Sequence, residues 1–138
     1  MAALVDAERK VSGVDMDTNL LNLAKARMQS DANKGSSAIC DWHLEDAYEI
    51  NRVFRGNMAA DALVIANKFH GVPVKNALSL VVAKVLKPWG SFIIINRHAM
   101  AREETVVLGN PHGPKTQLRM RPKDVEAVVI LAGFPRKK

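Results

Sequence analysis

The sequence is poor in cysteine, in aromatic residues and in long apolar runs. Its single cysteine, Cys40, excludes an internal disulfide and any metal site built from several cysteines. Among 138 residues no apolar run approaches the roughly 20 that cross a bilayer, and the N-terminus lacks the basic-then-apolar order of a signal peptide. These absences favour a cytoplasmic protein of one domain, residues 1–138.

Basic residues outnumber acidic ones by 20 to 14, which gives a net charge of +6. Much of the excess lies late in the chain, where only Asp124 and Glu126 balance Lys115, Arg119, Arg121, Lys123, Arg136, Lys137 and Lys138. A basic surface can attract nucleic acid or anionic substrates. Because aromatic residues make up only 5% of the chain and do not alternate with these charges, we favour a solvated basic surface over a nucleic-acid interface.

The first part of the chain predicts a strand, a helix and a second strand. The first strand is expected over Lys10–Val14, and the helix opens at Asp17 or Thr18, where a side-chain oxygen can cap it. The second strand is expected over Ala38–Cys40, with helix and loop over Asp41–Gly56. Apolar residues at helical spacing predict the buried stripe of the helix: Leu20, Leu21, Ala24 and Met28.

The second part repeats the alternation. Ala62–Ala66 and Ser91–Ile95 are continuous apolar runs typical of buried parallel strands. Between them a crossover helix is expected, with Pro73 in its first turn and a stop at Pro88-Trp89-Gly90. A last helix starts at Pro122 and ends at Gly133. The order predicts an α/β fold with a mainly parallel sheet flanked by helices, whose ligands bind at the carboxyl ends of the strands.

Several segments resemble the class I S-adenosylmethionine (SAM)-dependent methyltransferases, specifically a small bacterial subgroup with an Asn-x-Phe-His-Gly-Val segment. They are Val11-Ser12-Gly13-Val14-Asp15-Met16-Asp17, Asn67-Lys68-Phe69-His70-Gly71-Val72, Leu86-Lys87-Pro88-Trp89-Gly90 and Arg102-Glu103-Glu104-Thr105. The resemblance implies an incomplete Rossmann-like methyltransferase fold. It lacks the first strand with its glycine-rich loop and the C-terminal strand pair, and Trp89 stands where glycine is usual.

The resemblance also implies SAM as the cofactor, bound through residues that follow the first two strands. Asp15 matches the acid that binds the ribose hydroxyls, and Met16 beside it belongs to the same site. Asp41 is expected to receive the adenine amino group, with Glu45 or Asp46 as alternatives. Trp42 either stacks on adenine or packs under the loop. As a residue at a helix entry, Asp15 could instead interact with the helix dipole.

Two residues after the strand Ala62–Ala66 are the candidates for catalysis. Asn67 is expected near the cofactor and the transferred methyl group. His70 can act as a general base, because imidazole titrates near neutrality, or it can simply pack beside Phe69. Asn96 and His98 follow the next strand and could line the same cleft. The spacing of the four histidines predicts no metal site.

Three functions are compatible with these patterns. The first is a SAM-dependent methyltransferase acting on a small molecule. The second is a catalytically inactive remnant of that fold, serving as a binding or oligomeric module. The third is a basic nucleic-acid-binding protein. Because loss of a central strand would expose unpaired strand edges and apolar faces, we also expect a homodimer.

Overall fold

The computed structural model describes residues 9–30, 39–55 and 58–135. The chain divides into two compact units, an N-terminal unit that ends at Val53 and a C-terminal unit that begins at Phe54. The described strands form three two-stranded sheets, two parallel and one antiparallel. The alternating α/β order with parallel strand pairs is therefore confirmed, with strands that pair within each unit.

The N-terminal unit is built on two parallel strands, β1 (Lys10–Asp15) and β2 (Ile39–Leu44), with helix α1 (Thr18–Gln29) between them in the chain. The predicted cap is confirmed, since the Asp17 carboxylate accepts from the backbone N–H of Asn19 at 2.8 Å. The predicted stripe was wrong in one member, because Leu20 is exposed. Leu21 is the buried residue of that pair, since neighbours on a helix point about 100° apart.

Strand β2 is longer than the sequence predicted. It continues from Cys40 through Leu44, and Asp41 and Trp42 pair with Ser12 and Gly13 of β1. The expectation of helix or loop from Asp41 was wrong, because cross-strand pairing and the packing of an aromatic residue outweigh the polar residues of the segment. A short 3₁₀ turn (Ala47–Glu49) and one helical turn, α2 (Ile50–Val53), follow. Residues 38 and 56 lie outside the described ranges.

The C-terminal unit contains the predicted strand–helix–strand segment: β3 (Ala60–Ala66), α3 (Lys75–Val85) and β4 (Leu86–Ile95), with the strands parallel. Helix α3 begins two residues after Pro73, so that proline precedes the helix and does not open it. The stop at Pro88-Trp89-Gly90 is a bulge within β4. Ala60 pairs with Leu86 and Ala62 with Ser91, which leaves four residues of β4 opposite Asp61.

Among the residues that the structure describes, one face of the β3–β4 sheet is better covered than the other. Phe92 lies on the covered face, where its ring contacts Phe69 and Phe134. Ile93 and Ile95 lie on the other face and are 43% and 51% exposed. The expectation of a strand buried on both faces was therefore wrong for β4, because successive strand residues point to opposite faces and only one face has a packed layer.

The last helix, α4 (Pro122–Leu131), starts at Pro122 and ends before Gly133, as predicted. Gly133 has φ +94, a left-handed conformation that suits glycine at a helix end, and its N–H donates to the carbonyl of Ile130. Helices α3 and α4 pack against each other. No helix in the described part of the chain is long and apolar enough to cross a bilayer.

A long connection between β4 and α4 carries a short hairpin that the sequence analysis did not predict. Its strands are β5 (Val106–Val107) and β6 (Asn110–Pro111). The turn between them places Leu108 and Gly109 at φ +50 and φ +80. Successive positive φ values define the tight turn that suits a two-residue hairpin.

Candidate functional site

The carboxyl end of β1 presents a carboxylate beside an exposed apolar side chain. Asp15 is the last residue of β1, and its Oδ1 accepts from the Asp17 backbone N–H at 2.9 Å. Its Oδ2 accepts no hydrogen bond from any residue that the structure describes. Met16 is next in the chain and is 68% exposed. An unused carboxylate oxygen and an apolar surface therefore lie side by side.

Asp41 and Trp42 lie inside β2 and do not follow it, which corrects the predicted placement. Because they are adjacent in a strand, their side chains point to opposite faces of the sheet. Asp41 forms an ion pair with Lys10, and His43 Nε2 lies 3.8 Å from the same carboxylate oxygen. The Asp41 carboxylate is therefore already paired within the N-terminal unit, and it lies three residues before the end of β2.

Trp42 lies directly across from Gly13 and packs over it. A Cβ atom added at Gly13 would meet two carbons of the indole ring at 2.5 Å. The ring therefore occupies the space that a side chain at position 13 would fill. This contact matches the packing interpretation of Trp42, while stacking on adenine stays a prediction.

The acid that follows β2 at its carboxyl end is Glu45. Its backbone N–H donates to the Asp15 carbonyl at 3.2 Å, so the two acidic residues are neighbours at one edge of the β1–β2 sheet. Asp46 has a local role, since its Oδ1 accepts from the Tyr48 N–H and caps the following turn. Of the two alternatives to Asp41, Glu45 is better placed to take part in a site at this edge.

Asn67 follows β3 and has an unusual backbone conformation. Its φ is +55, and its N–H donates to the carbonyl of Ile95 at 2.6 Å, which ties together the carboxyl ends of β3 and β4. Asparagine tolerates this left-handed region better than most residues. The conformation alone gives a reason for asparagine here, so its catalytic and cofactor-binding roles stay predictions.

His70 lies in a short turn that a buried aromatic ring holds in place. The 3₁₀ turn Phe69–Gly71 follows β3, and Phe69 is completely buried, with its ring edge-on to Phe92 at 6.1 Å. This anchor fixes the position of His70, whose imidazole is half-buried. Its Nδ1 is shielded from solvent and has no hydrogen-bond partner among the described residues.

The side chain beside the imidazole is Asn96, the first residue after β4. Its amide lies close enough to influence His70, but not in the geometry of a formed hydrogen bond. Both polar atoms of the Asn96 amide are buried and lack a partner in the described part of the chain. Buried polar atoms are nearly always paired, so these atoms and His70 Nδ1 are available to a partner beyond the described contacts, such as a water molecule or a ligand.

The surroundings of His70 favour its neutral form. Burial lowers the pKa of the imidazole, and the positive charges of Lys75, Lys68 and Arg119 lower it further, against a smaller opposite effect of Asn96. A neutral imidazole can accept a proton, which a general base must do. Of the two residues expected to line the same cleft, Asn96 lies near His70, whereas His98 is exposed.

Two arginines near the carboxyl end of β4 were not among the predicted site residues. The Arg119 guanidinium donates to three backbone carbonyls, those of Pro114, Met100 and His112. Arg97 lies alongside it, since both side chains come within 3.5 Å of the point where Gly113 would carry a Cβ. Arg97 directly follows Asn96 at the end of β4, and that position was the signal that could have identified it.

Among the described residues, no group of three or more His, Cys, Asp or Glu side chains could hold a metal ion. Residues 136–138 of the basic tail lie outside the described ranges.

Neither a protein-family model nor a curated protein matches this sequence. Two solved structures do match it. A SAM-dependent methyltransferase from Aquifex aeolicus matches with a TM-score of 0.71 and 18% identity, over 94% of this chain and 61% of that one. A candidate type 11 methyltransferase from Sulfolobus solfataricus matches with a TM-score of 0.57 and 25% identity, over 86% of this chain and 57% of that one.

The chain has a methyltransferase fold. It spans less than two thirds of the length of either matching structure. The Rossmann-like α/β expectation is confirmed, whereas the specific bacterial subgroup stays a prediction.

Proposed function

We propose that this protein binds SAM and transfers its methyl group to a small molecule. The observation that carries the proposal is Asp15, a carboxylate at the carboxyl end of the first parallel strand of a methyltransferase fold. Ligands of open α/β sheets bind at that end of the strands.

The residues at this edge fit the nucleoside part of SAM. A carboxylate oxygen has two lone pairs, so Asp15 Oδ1 can keep its bond to Asp17 while the carboxylate accepts two ribose hydroxyls. The exposed Met16 offers an apolar surface for a base. Glu45 lies next to Asp15 and can accept the adenine amino group, a role that was first assigned to Asp41.

When bound, SAM supplies an electrophilic methyl carbon attached to a positively charged sulfur. The chain must then orient an acceptor and remove its proton. His70 is the candidate base, because its surroundings lower its pKa and favour the neutral imidazole, and its Nδ1 has no hydrogen-bond partner among the described residues. We assign Asn67 a positioning role at the same strand end, through its side-chain amide.

Calorimetric titration with S-adenosylhomocysteine tests the cofactor site. Asp15→Asn preserves the acceptor for Asp17 but removes the charge, so we expect binding to weaken by about tenfold or more. Asp17→Asn is the matched control, because it removes the same charge two residues away and keeps a capping side chain. Absence of binding to the unmodified protein, or equal affinity in both variants, would contradict the proposed site.

The methyl transfer itself is tested with a labelled methyl donor and a panel of small-molecule acceptors. His70→Gln should then slow transfer at neutral pH and leave S-adenosylhomocysteine binding unchanged. An acceptor panel without turnover, together with intact binding, would favour the inactive binding module.

We also propose that the protein is a homodimer. The support is the partly exposed sheet face with Ile93 and Ile95, since an exposed apolar patch is typical of an interface. Sedimentation equilibrium of the protein and of Ile93→Lys tests this proposal. A monomer at all concentrations would refute it.

A further inference from the structure

Several positively charged side chains lie near the carboxyl ends of β3 and β4. Arg97 lies beside Arg119 at Gly113, although like charges repel each other. Arg119 is fixed by three backbone carbonyls and Lys75 by the Val72 carbonyl at 2.9 Å, and carbonyls do not neutralise charge. The groups that act on the pKa of His70 include three cations and no acid.

Two of the cations at these strand ends have no partner among the described residues. Lys68 follows Asn67 after β3, and Arg97 follows Asn96 after β4. Neither side chain makes a hydrogen bond or an ion pair with a residue that the structure describes. Elsewhere in this unit, Lys87 pairs with Asp61 at 2.8 Å and Arg121 with Asp124 at 2.9 Å, whereas Lys123 is unpaired among the described residues.

Buried polar atoms without a partner among the described residues lie at the same strand ends, in the turn after β3 and directly after β4. They are His70 Nδ1 and the two polar atoms of the Asn96 amide. An arginine and a lysine bind carboxylate and phosphate oxygens well. A molecule that carries such an anionic group would neutralise the cations and bring polar atoms to the orphaned groups.

We propose that the methyl acceptor is an anion whose carboxylate or phosphate group binds to Lys68 and Arg97. The Asn96 amide then faces the acceptor's nucleophilic group, and His70 receives its proton. This inference names the substrate class and rests on the proposed function. The low aromatic content of the chain favours a small anion over a nucleic-acid strand.

The test uses sodium phosphate and sodium acetate as probes, with sodium chloride at matched ionic strength as the reference. Imidazole resonances are followed by NMR at constant pH, with His70 assigned through His70→Gln and the other three histidines as internal references. We expect a saturable shift of the His70 signal. Saturation by phosphate alone indicates a phosphorylated acceptor, and saturation by acetate indicates a carboxylate.

Charge variants identify the binding residues. Lys68→Met and Arg97→Met should each weaken the phosphate or acetate response by about tenfold or more. Lys123→Met removes an exposed charge in the first turn of α4 and should leave the response unchanged. Arg97→Lys should retain part of it, which shows that a loss in Arg97→Met comes from the charge and not from misfolding.

The proposal is overturned if neither anion produces a saturable shift of the His70 signal. It is also overturned if Lys68→Met and Arg97→Met respond to the anions as Lys123→Met does. S-adenosylhomocysteine binding, measured on the same proteins, distinguishes failure of the anion site from failure of the cofactor site. Intact cofactor binding without an anion response refutes the acceptor class alone. An anion response without cofactor binding refutes the proposed methyltransferase and leaves an anion site.

Discussion

The contact between Gly13 and Trp42 makes the N-terminal unit sensitive to a single methyl group. In Gly13→Ala the new Cβ would lie 2.5 Å from two ring carbons of Trp42, well inside van der Waals contact. The φ of Gly13 is not positive, so alanine meets no backbone strain there. The indole ring is the obstacle, and it is rigid and half-buried.

The magnitude follows from two opposing effects. Overpacking of this kind costs about 1–3 kcal/mol, because the ring must leave its preferred rotamer or the strands must separate. Alanine restricts the unfolded chain more than glycine does, which returns about 0.4–1 kcal/mol. We therefore expect Gly13→Ala to lower the free energy of unfolding by about 1–2 kcal/mol.

Urea unfolding followed by tryptophan fluorescence measures this effect in the N-terminal unit of the chain. The experiment is done in a Trp89→Phe background, so that Trp42 is the single reporter, and Trp89 is 96% exposed, so its replacement costs little. A double-mutant cycle with Trp42→Ala supplies the control, because Gly13→Ala should be harmless once the ring is gone. Equal costs of Gly13→Ala with and without the indole would refute the packing argument.

Three further predictions concern the parts that hold the candidate site. Phe69→Ala removes a completely buried ring and should cost about 3–5 kcal/mol in urea unfolding of the C-terminal unit, while Phe69→Leu should cost much less; equal small costs would contradict the anchoring role. Asp17→Ala removes the cap of α1 and should cost about 1 kcal/mol, whereas Asp17→Asn should be nearly neutral, and a similar loss in both would show that charge and not capping matters. Because the folded protein has a lowered His70 pKa, protonation favours unfolding: stability should be fully present above the ordinary pKa of about 6.5 and fall as the pH drops from there through the folded pKa. The unfolding free energy of His70→Gln, measured across the same pH range, should fall less; identical pH profiles would contradict the assignment.

Local patterns made several elements predictable from sequence. The cap at Asp17, Pro122 at the start of α4 and Gly133 after its end each act through neighbouring backbone groups, so short-range chemistry was sufficient. The positions of Asp15 at the end of its strand, and of Asn67 and His70 after theirs, were predictable for a related reason. A strand that ends in a polar residue places that residue at the edge of the sheet whatever surrounds it.

Other features depended on contacts between distant parts of the chain. The length of β2 was decided by pairing with β1 and by the indole ring over Gly13, and no local pattern of Asp41 to Leu44 encodes those partners. The bulge at Pro88-Trp89-Gly90 likewise depends on the register of β3. A turn signal indicates that a segment bends, but not which residue lies opposite.

By itself, the sequence determined the α/β alternation, the helix ends and the set of polar residues at the strand ends, because periodicity and capping act over a few residues. Only the tertiary structure decided which of those residues have partners. Asp41 is paired with Lys10, whereas Asn96 and His70 have buried atoms without a partner among the described residues, near the positive charges of Lys68, Lys75 and Arg119. Hydrogen-bond satisfaction and charge balance depend on distances across the fold, and those distances arise from packing and not from spacing along the chain.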